Sequence, residues 1–240
     1  PSSDGTIMSK GTGMKQTSWA LIMAAGKAEQ ISSDIETAFL YLNDRPVLAY
    51  SLAAFMQCPD ISGIVVVVSR ERAESVLGMV QLYGFSKVRK IVAGGAKRSA
   101  SMAAGLEHIE DDVDFVCVHD ASRPLLSPAL VSETVHSAHR HGSGLAAVEI
   151  ADPVVTAAKG VVLSRQDRDS RLWAVTSPQT YAREVLVKAY PKPARDRKNY
   201  GDDLAAVMAQ RVKLHLVPVA APSPRIRSAA DLAPVLALMK

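Results

Sequence analysis

Asp120 and Arg123 stand three residues apart at the end of an apolar run, in FVCVHDASRP at 115–124. A carboxylate at the carboxyl end of a buried strand can hold a hard divalent cation, and an arginine beside it can receive a phosphate through two parallel N–H bonds. The plainer structural reading is that Asp120 caps the next helix and Arg123 pairs with it. Two small-residue loops have the shape to accompany this pair. Ala24-Ala25-Gly26 follows the apolar ALIM at 20–23, and its small side chains let backbone N–H groups approach an anion closely, although such turns also serve tight packing. AGGAKRSAS at 93–101 follows another apolar run and opens a helix, whose N-terminus attracts anions and polar ligand edges. Ser101 in that loop is either a ligand contact or an ordinary first-turn serine. Nearer the C-terminus, GDD at 201–203 opens a helix and RIRSAADL at 225–232 leads into the last one. At least one of Asp202 and Asp203 reads as a helix cap, and Arg225 and Arg227 either bind phosphate or solvate a loop.

The elements that must hold these residues follow from hydrophobic periodicity. Strands are expected at 19–23, 63–69, 88–92, 114–118 and 144–148, with helices at 47–58, 70–83, 98–110 and 128–141. This β-α alternation predicts an α/β domain with a mostly parallel sheet, helices on both faces and a ligand crevice outside the carboxyl ends of the strands. After residue 150 the regularity breaks. VVTAAKGVVL at 154–163 reads as a hairpin around Lys159-Gly160, an arm leaving the sheet. A lone two-stranded hairpin with apolar residues is marginal in water, so the arm predicts a homodimer. DRDSR at 167–171 reads as a solvated turn, and Ser177-Pro178-Gln179 as a rigid turn into the next helix.

Composition excludes several function classes. The net charge is +4, but Lys and Arg are scattered and aromatic residues are few, which argues against nucleic-acid binding and fits a small anionic substrate. Cys58 and Cys117 lie in or near apolar segments without metal-ligand spacing, the pattern of reduced thiols in a cytoplasmic protein. No apolar run approaches the roughly 20 residues that span a bilayer, and residues 1–17 lack the apolar middle of a secretion signal and read as a disordered tail before a single domain at 18–240. Neither the G-x-G-x-x-G of dehydrogenases nor the G-x-x-x-x-G-K-[ST] of P-loop kinases occurs. His136, His139 and His141 crowd a helix end without zinc spacing.

Taken together, AAG at 24–26, GG-x-x-R-x-x-S at 94–101, HDASRP at 119–124, SPQ at 177–179, GDD at 201–203 and RIRSAADL at 225–232 occur in one order and spacing. Over roughly residues 18–240 the chain resembles the 2-C-methyl-D-erythritol 4-phosphate cytidylyltransferases, and the related ribitol-phosphate cytidylyltransferases share much of the pattern. The resemblance implies a Rossmann-like nucleotidyltransferase, dimeric through a β-arm at about 150–172. Such an enzyme transfers CMP from CTP to a sugar-alcohol phosphate with Mg²⁺ and releases pyrophosphate, in isoprenoid biosynthesis. It further implies that the backbone of Ala24, Ala25 and Gly26 cradles the nucleotide, that Gly95 and Ser101 read the cytosine, that Asp120 serves ribose and metal, and that Arg123 contacts the acceptor phosphate.

The chain departs from the family at cationic positions. The family's first-loop Arg and Lys stand here as Gln30 and Thr37, and a Lys near its C-terminus stands as Arg225. One preorganised donor at developing charge is worth about 2.7 to 4 kcal/mol, so two losses bear directly on turnover. Lys27 and Lys97 are the nearest replacements in sequence. On the acceptor side the family's Asp-Thr in the arm is Asp152-Pro153, its Arg near DRDSR aligns with Arg168 or Asp169, and its Thr before the acidic pair is Gly201. Two readings follow: a working cytidylyltransferase in which Arg225 and rearranged lysines replace the missing cations, or a catalytically impaired or inactive dimeric homologue with a nucleotide-binding, scaffold or regulatory role.

Overall fold

The computed structural model describes residues 16–25, 30–32, 35–166, 171–191, 200, 202–220 and 223–239, with the backbone alone at 30–32 and 35. Strand β1 (Ser18–Ala24) leads into four short strands that pair locally as two antiparallel hairpins: β2 (Gln30–Ser32) with β3 (Ile35–Glu36), and β4 (Tyr41–Leu42) with β5 (Arg45–Pro46). The expected alternation follows as α1 (Val47–Gln57), β6 (Gly63–Val68), α2 (Ala73–Tyr83), β7 (Val88–Ala93), α3 (Arg98–Leu106), β8 (Phe115–Asp120), α4 (Pro128–His141) and β9 (Ser143–Glu149). The remainder comprises β10 (Val155–Ala158), β11 (Val161–Arg165), β12 (Trp173–Ala182), α5 (Arg183–Ala189), α6 (Asp203–Met208), β13 (Leu216–Pro218) and α7 (Leu232–Leu238).

A seven-stranded sheet in the order β13-β9-β12-β8-β1-β6-β7 forms the centre. Its pairings are parallel except for the two made by β12, which lies antiparallel between β8 and β9. Both faces are covered, which is why β6 reads GIVVVV rather than alternating. Along β1 the period of two sends Trp19, Leu21 and Met23 to the side of α3 and α5, while Ala20, Ile22 and Ala24 pack with Leu48, Leu52 and Phe55 of α1 and Val131 and Val135 of α4. Helix α3 approaches closely because Gly105 has no side chain: a Cβ there would lie 2.6 Å from Leu21 Cδ1 and 2.8 Å from Val67 Cγ2. Ser127 starts α4 by accepting from the Leu130 N–H at 3.2 Å with Pro128 at the first position, and Gly142, at φ +84°, ends it.

Three expectations are corrected. The helix expected at 98–110 stops at Leu106 and closes with turns through Ile109. The strand expected to end at 118 runs on through His119 to Asp120, because its ladder to β1 continues to the Met23 and Asp120 pair. Ser177-Pro178-Gln179 is no turn into a helix; it lies inside β12, where the register to β9 shifts between Val175 and Gln179. Proline offers no N–H to a ladder, so an irregular stretch is where a strand can carry it.

The arm is present as an antiparallel hairpin of β10 and β11, turning at Lys159 (φ +49°) and Gly160 (φ +80°). Positive φ at both central residues matches the right-handed twist of the two strands. Every residue of β10 and β11 is exposed, including Val155, Val161, Val162 and Leu163 at 45 to 67%. No helix among the described residues is long and apolar enough to cross a membrane.

Candidate active site

Strands β1, β7 and β8 end together, since Met23 pairs with Asp120 and Ala24 with Val68, which pairs in turn with Ala93. The loops that leave them therefore open on one side of the sheet. The Gly94 N–H donates to the Val68 carbonyl at 2.7 Å, which folds the glycine loop back over the strand ends. A Cβ on Gly94 would lie 2.6 Å from the Ala25 Cβ and 2.8 Å from Ser101 Oγ, so the glycine loop and the alanine turn are in contact. The buried Ser101 hydroxyl accepts from the Gly95 N–H at 3.1 Å and donates to its carbonyl at 3.3 Å. Ala24, Ala25, Gly95 and Ser101 are thus gathered at one place, as the sequence predicts; Gly26 and Lys27 lie outside the described residues.

Asp120 is the centre of a charge cluster. Arg98, the first residue of α3, donates through Nη2 to Asp120 Oδ1 at 2.8 Å and to Asp203 Oδ2 at 2.6 Å. Its Nε lies 3.2 Å from both Asp203 oxygens, and Tyr190 donates to Asp203 Oδ1 at 2.6 Å. Arg123 Nε lies 3.9 Å from Asp120 Oδ2, and Arg123 Nη1 donates to the Ser223 carbonyl. Burial works to raise the Asp120 pKa, but Arg98 and then Arg225 outweigh it and hold the carboxyl below its ordinary value. Burial likewise opposes the charge on Arg98, and its two carboxylate partners more than restore it. Asp120 does not cap α4, which Ser127 does. Of the acidic pair, Asp202 is the cap, accepting from the Ala205 N–H at 2.8 Å, whereas Asp203 turns inward to Arg98.

Arg98 and Asp203 were missed as partners. GG-x-x-R-x-x-S names Arg98 only as part of a pattern, and nothing local ties it to an aspartate 105 positions away. Arg225 reaches the cluster through the C-terminal segment: the Ile226 N–H donates to the Ser122 carbonyl at 2.9 Å, and Arg225 Nε to Ser122 Oγ at 3.1 Å. Ile226 is fully buried with Leu42, Val47 and Val235, which locks the segment against the 121–123 turn.

Beneath the cluster, on the α1 side of the sheet, lies His119. Burial first, with Arg123 adding to it and Asp120 opposing it, pushes its pKa down to about 4, so the ring is neutral at pH 7. Below pH 6.5 the unfolded chain takes up a proton that the folded ring refuses. Stability is therefore complete above 6.5 and falls as the pH drops from about 6.5 to about 4. Between pH 7 and pH 5 we expect His119 to account for a loss of roughly 2 kcal/mol, read as the difference in urea unfolding between the wild type and His119→Gln. An equal pH slope in the two proteins would refute it.

The other predicted positions are more dispersed. Thr37 is fully buried, and its hydroxyl meets no hydrogen-bond partner among the described residues. Lys97 and Asp152 are exposed, the latter at the foot of the arm. The side chain of Gln30, and Arg168, Asp169 and Gly201, lie outside the described residues. Among the described residues no group of three or more His, Cys, Asp or Glu side chains forms a metal cage. A magnesium ion does not require one: it takes one or two carboxylates and completes its shell with water and phosphate oxygens. Asp120, with Oδ1 on Arg98 and Oδ2 outside hydrogen-bond range of Arg123, fits that requirement.

A family model described as 2-C-methyl-D-erythritol 4-phosphate cytidylyltransferase matches residues 19–240. The protein of that description from Desulforamulus reducens is 36% identical over 201 residues, covering 81% of this chain and 85% of its own length. Its counterpart from Alkaliphilus metalliredigens is 31% identical over 189 residues, 78% of each chain. The crystal structure of 4-diphosphocytidyl-2C-methyl-D-erythritol synthase from Anaerococcus prevotii superposes with a TM-score of 0.81 over 93% of this chain and 96% of that one. At 20% identity that likeness speaks for the fold. Since the family model matches from β1 to residue 240 and the Desulforamulus reducens protein is 36% identical over most of both chains, the chain belongs to the 2-C-methyl-D-erythritol 4-phosphate cytidylyltransferase family.

Proposed function

We propose that the chain transfers CMP from CTP to 2-C-methyl-D-erythritol 4-phosphate and releases pyrophosphate, as a step of isoprenoid biosynthesis. What carries the reading is the meeting of one carboxylate, Asp120, with Arg98, Arg123 and Arg225 at the strand ends, beside a close-packed glycine loop. An acceptor phosphate oxygen attacks the α-phosphorus of CTP, a new P–O bond forms, and the bond to the bridging oxygen breaks with pyrophosphate leaving. No covalent intermediate on the protein is needed. The protein's task in such a transfer is positioning and charge stabilisation.

Arg123 receives the acceptor phosphate, and Arg225 balances the triphosphate in place of the family's lysine. Ala24, Ala25 and Gly26 receive the nucleotide through their backbone, and Gly95 with Ser101 recognises the base. Magnesium bound at Asp120 supplies charge neutralisation to the nucleotide phosphates. The buried, free thiols of Cys58 and Cys117 agree with a reducing cytoplasm.

The experiment is pyrophosphate release by the purified chain, with CTP, Mg²⁺ and 2-C-methyl-D-erythritol 4-phosphate supplied together and each omitted in turn. Release that needs all three is expected. Calorimetric binding of CTP without any release would instead favour the impaired homologue, the reading that Gln30 and Thr37 motivate.

The arm supports a homodimer, because an isolated hairpin with four exposed large apolar residues lacks a core of its own. A second copy of the chain covers it, and Asp152 at its foot serves the acceptor side of the dimer. Val162→Asp with Leu163→Asp is expected to turn a dimer into a folded monomer in sedimentation velocity. A dimer unchanged by both charges would refute the arm interface.

A further inference from the structure

His119 and Ser177 have no part in the reaction as described, yet they join the two residues that do. Both are buried, at 1% and 4% exposure. Ser177 Oγ accepts from the Asp120 N–H at 3.2 Å and lies 2.7 Å from His119 Nδ1. The other ring nitrogen, Nε2, lies 3.2 Å from the Arg123 carbonyl and 3.2 Å from Ser51 Oγ. A carbonyl only accepts, so Nε2 carries the proton and Nδ1 is the acceptor. The Ser177 hydroxyl then donates to Nδ1 while its oxygen receives the Asp120 N–H. One continuous chain of hydrogen bonds therefore runs from the N–H of Asp120 to the carbonyl of Arg123. Phe55 meets the ring edge-on at a centroid distance of 5.6 Å and holds its plane.

We propose that His119 and Ser177 are a positioning pair for the transfer reaction, setting the span between the Asp120 carboxylate and the Arg123 guanidinium through the backbone of the turn. The proposal rests on the roles given above to Asp120 and Arg123. Both side chains are engaged in this chain of hydrogen bonds. Alternation along β8 sends His119 to the α1 face and Asp120 to the α3 face, so the ring acts from the opposite side of the sheet to the Asp120 carboxylate. The irregular stretch of β12 is what carries Ser177 within reach of two successive β8 residues.

The test compares Ser177→Ala, Ser177→Thr and wild type by steady-state kinetics, CTP binding calorimetry and thermal unfolding, with ¹⁵N NMR of the His119 ring in the wild type. The expected result for Ser177→Ala is a kcat about 10- to 100-fold lower, from a misplacement near 1 Å, with CTP affinity within about threefold and cooperative unfolding retained. Ser177→Thr keeps the hydroxyl and restores kcat to within about threefold of wild type. The NMR spectrum shows the proton on Nε2. An unchanged kcat in Ser177→Ala, a Thr variant no better than Ala, or a proton on Nδ1 would each overturn the proposal. A wild type with the proton on Nε2 but no pyrophosphate release would overturn the reaction assignment and the positioning role with it, while the hydrogen-bond chain itself stands.

Discussion

Asp120→Asn is expected to lower pyrophosphate release by about 100- to 1000-fold while the chain stays folded. The amide keeps the volume and can still accept from Arg98 Nη2, and Arg98 retains Asp203, so the buried network survives with one charge fewer. Function is lost for an electrostatic reason. The ionised carboxyl is the counter-charge to Arg98 and Arg225, with Arg123 Nε 3.9 Å away, and a neutral oxygen holds a magnesium ion poorly. The measurement is kcat at saturating CTP and acceptor across a magnesium series, with a thermal melt beside it. A loss smaller than about tenfold at every magnesium concentration would show that the carboxylate does not serve the reaction.

Arg98→Ala carries the largest expected effect on stability, a loss of about 3 to 5 kcal/mol. Asp203 is 4% exposed, and without the guanidinium its carboxylate keeps, among the described residues, only the Tyr190 hydroxyl at 2.6 Å. The cost comes from stranding a buried charge rather than from the worth of the pair, because replacing both partners by apolar residues of similar size is often neutral. Arg98→Met combined with Asp203→Leu is therefore expected to recover most of the stability in denaturant unfolding. It will not recover turnover, since Asp120 Oδ1 still lacks its 2.8 Å partner. Should the double variant be as unstable as Arg98→Ala, the buried-charge account of this network fails.

The two variants probe residues of unequal legibility. Asp120 stands out in the chain because an apolar run ends on it, and strand ends of parallel sheets are where ligands bind. Arg98 and Asp203 look like a first-turn arginine and a helix cap. That reading holds for the neighbouring Asp202 and fails for Asp203, since nothing in GDD marks which carboxylate faces solvent.

Local pattern carried the central architecture. Period-two and period-3.6 spacing placed five strands and four helices, the Lys159-Gly160 turn placed the arm, and small residues after β1 and β7 marked two loops that meet at the strand ends, because each of these is encoded within a dozen neighbouring residues. Tertiary structure alone decided that β12 enters antiparallel between β8 and β9 and brings Ser177 under Asp120. It also set Arg98 between two carboxylates, and buried Ile226 so that Arg225 reaches the cluster. Those partners lie 22 to 105 positions apart along the chain. A contact at that separation leaves no periodic trace in either segment, and it exists only once the sheet order has made neighbours of strands that the sequence keeps apart.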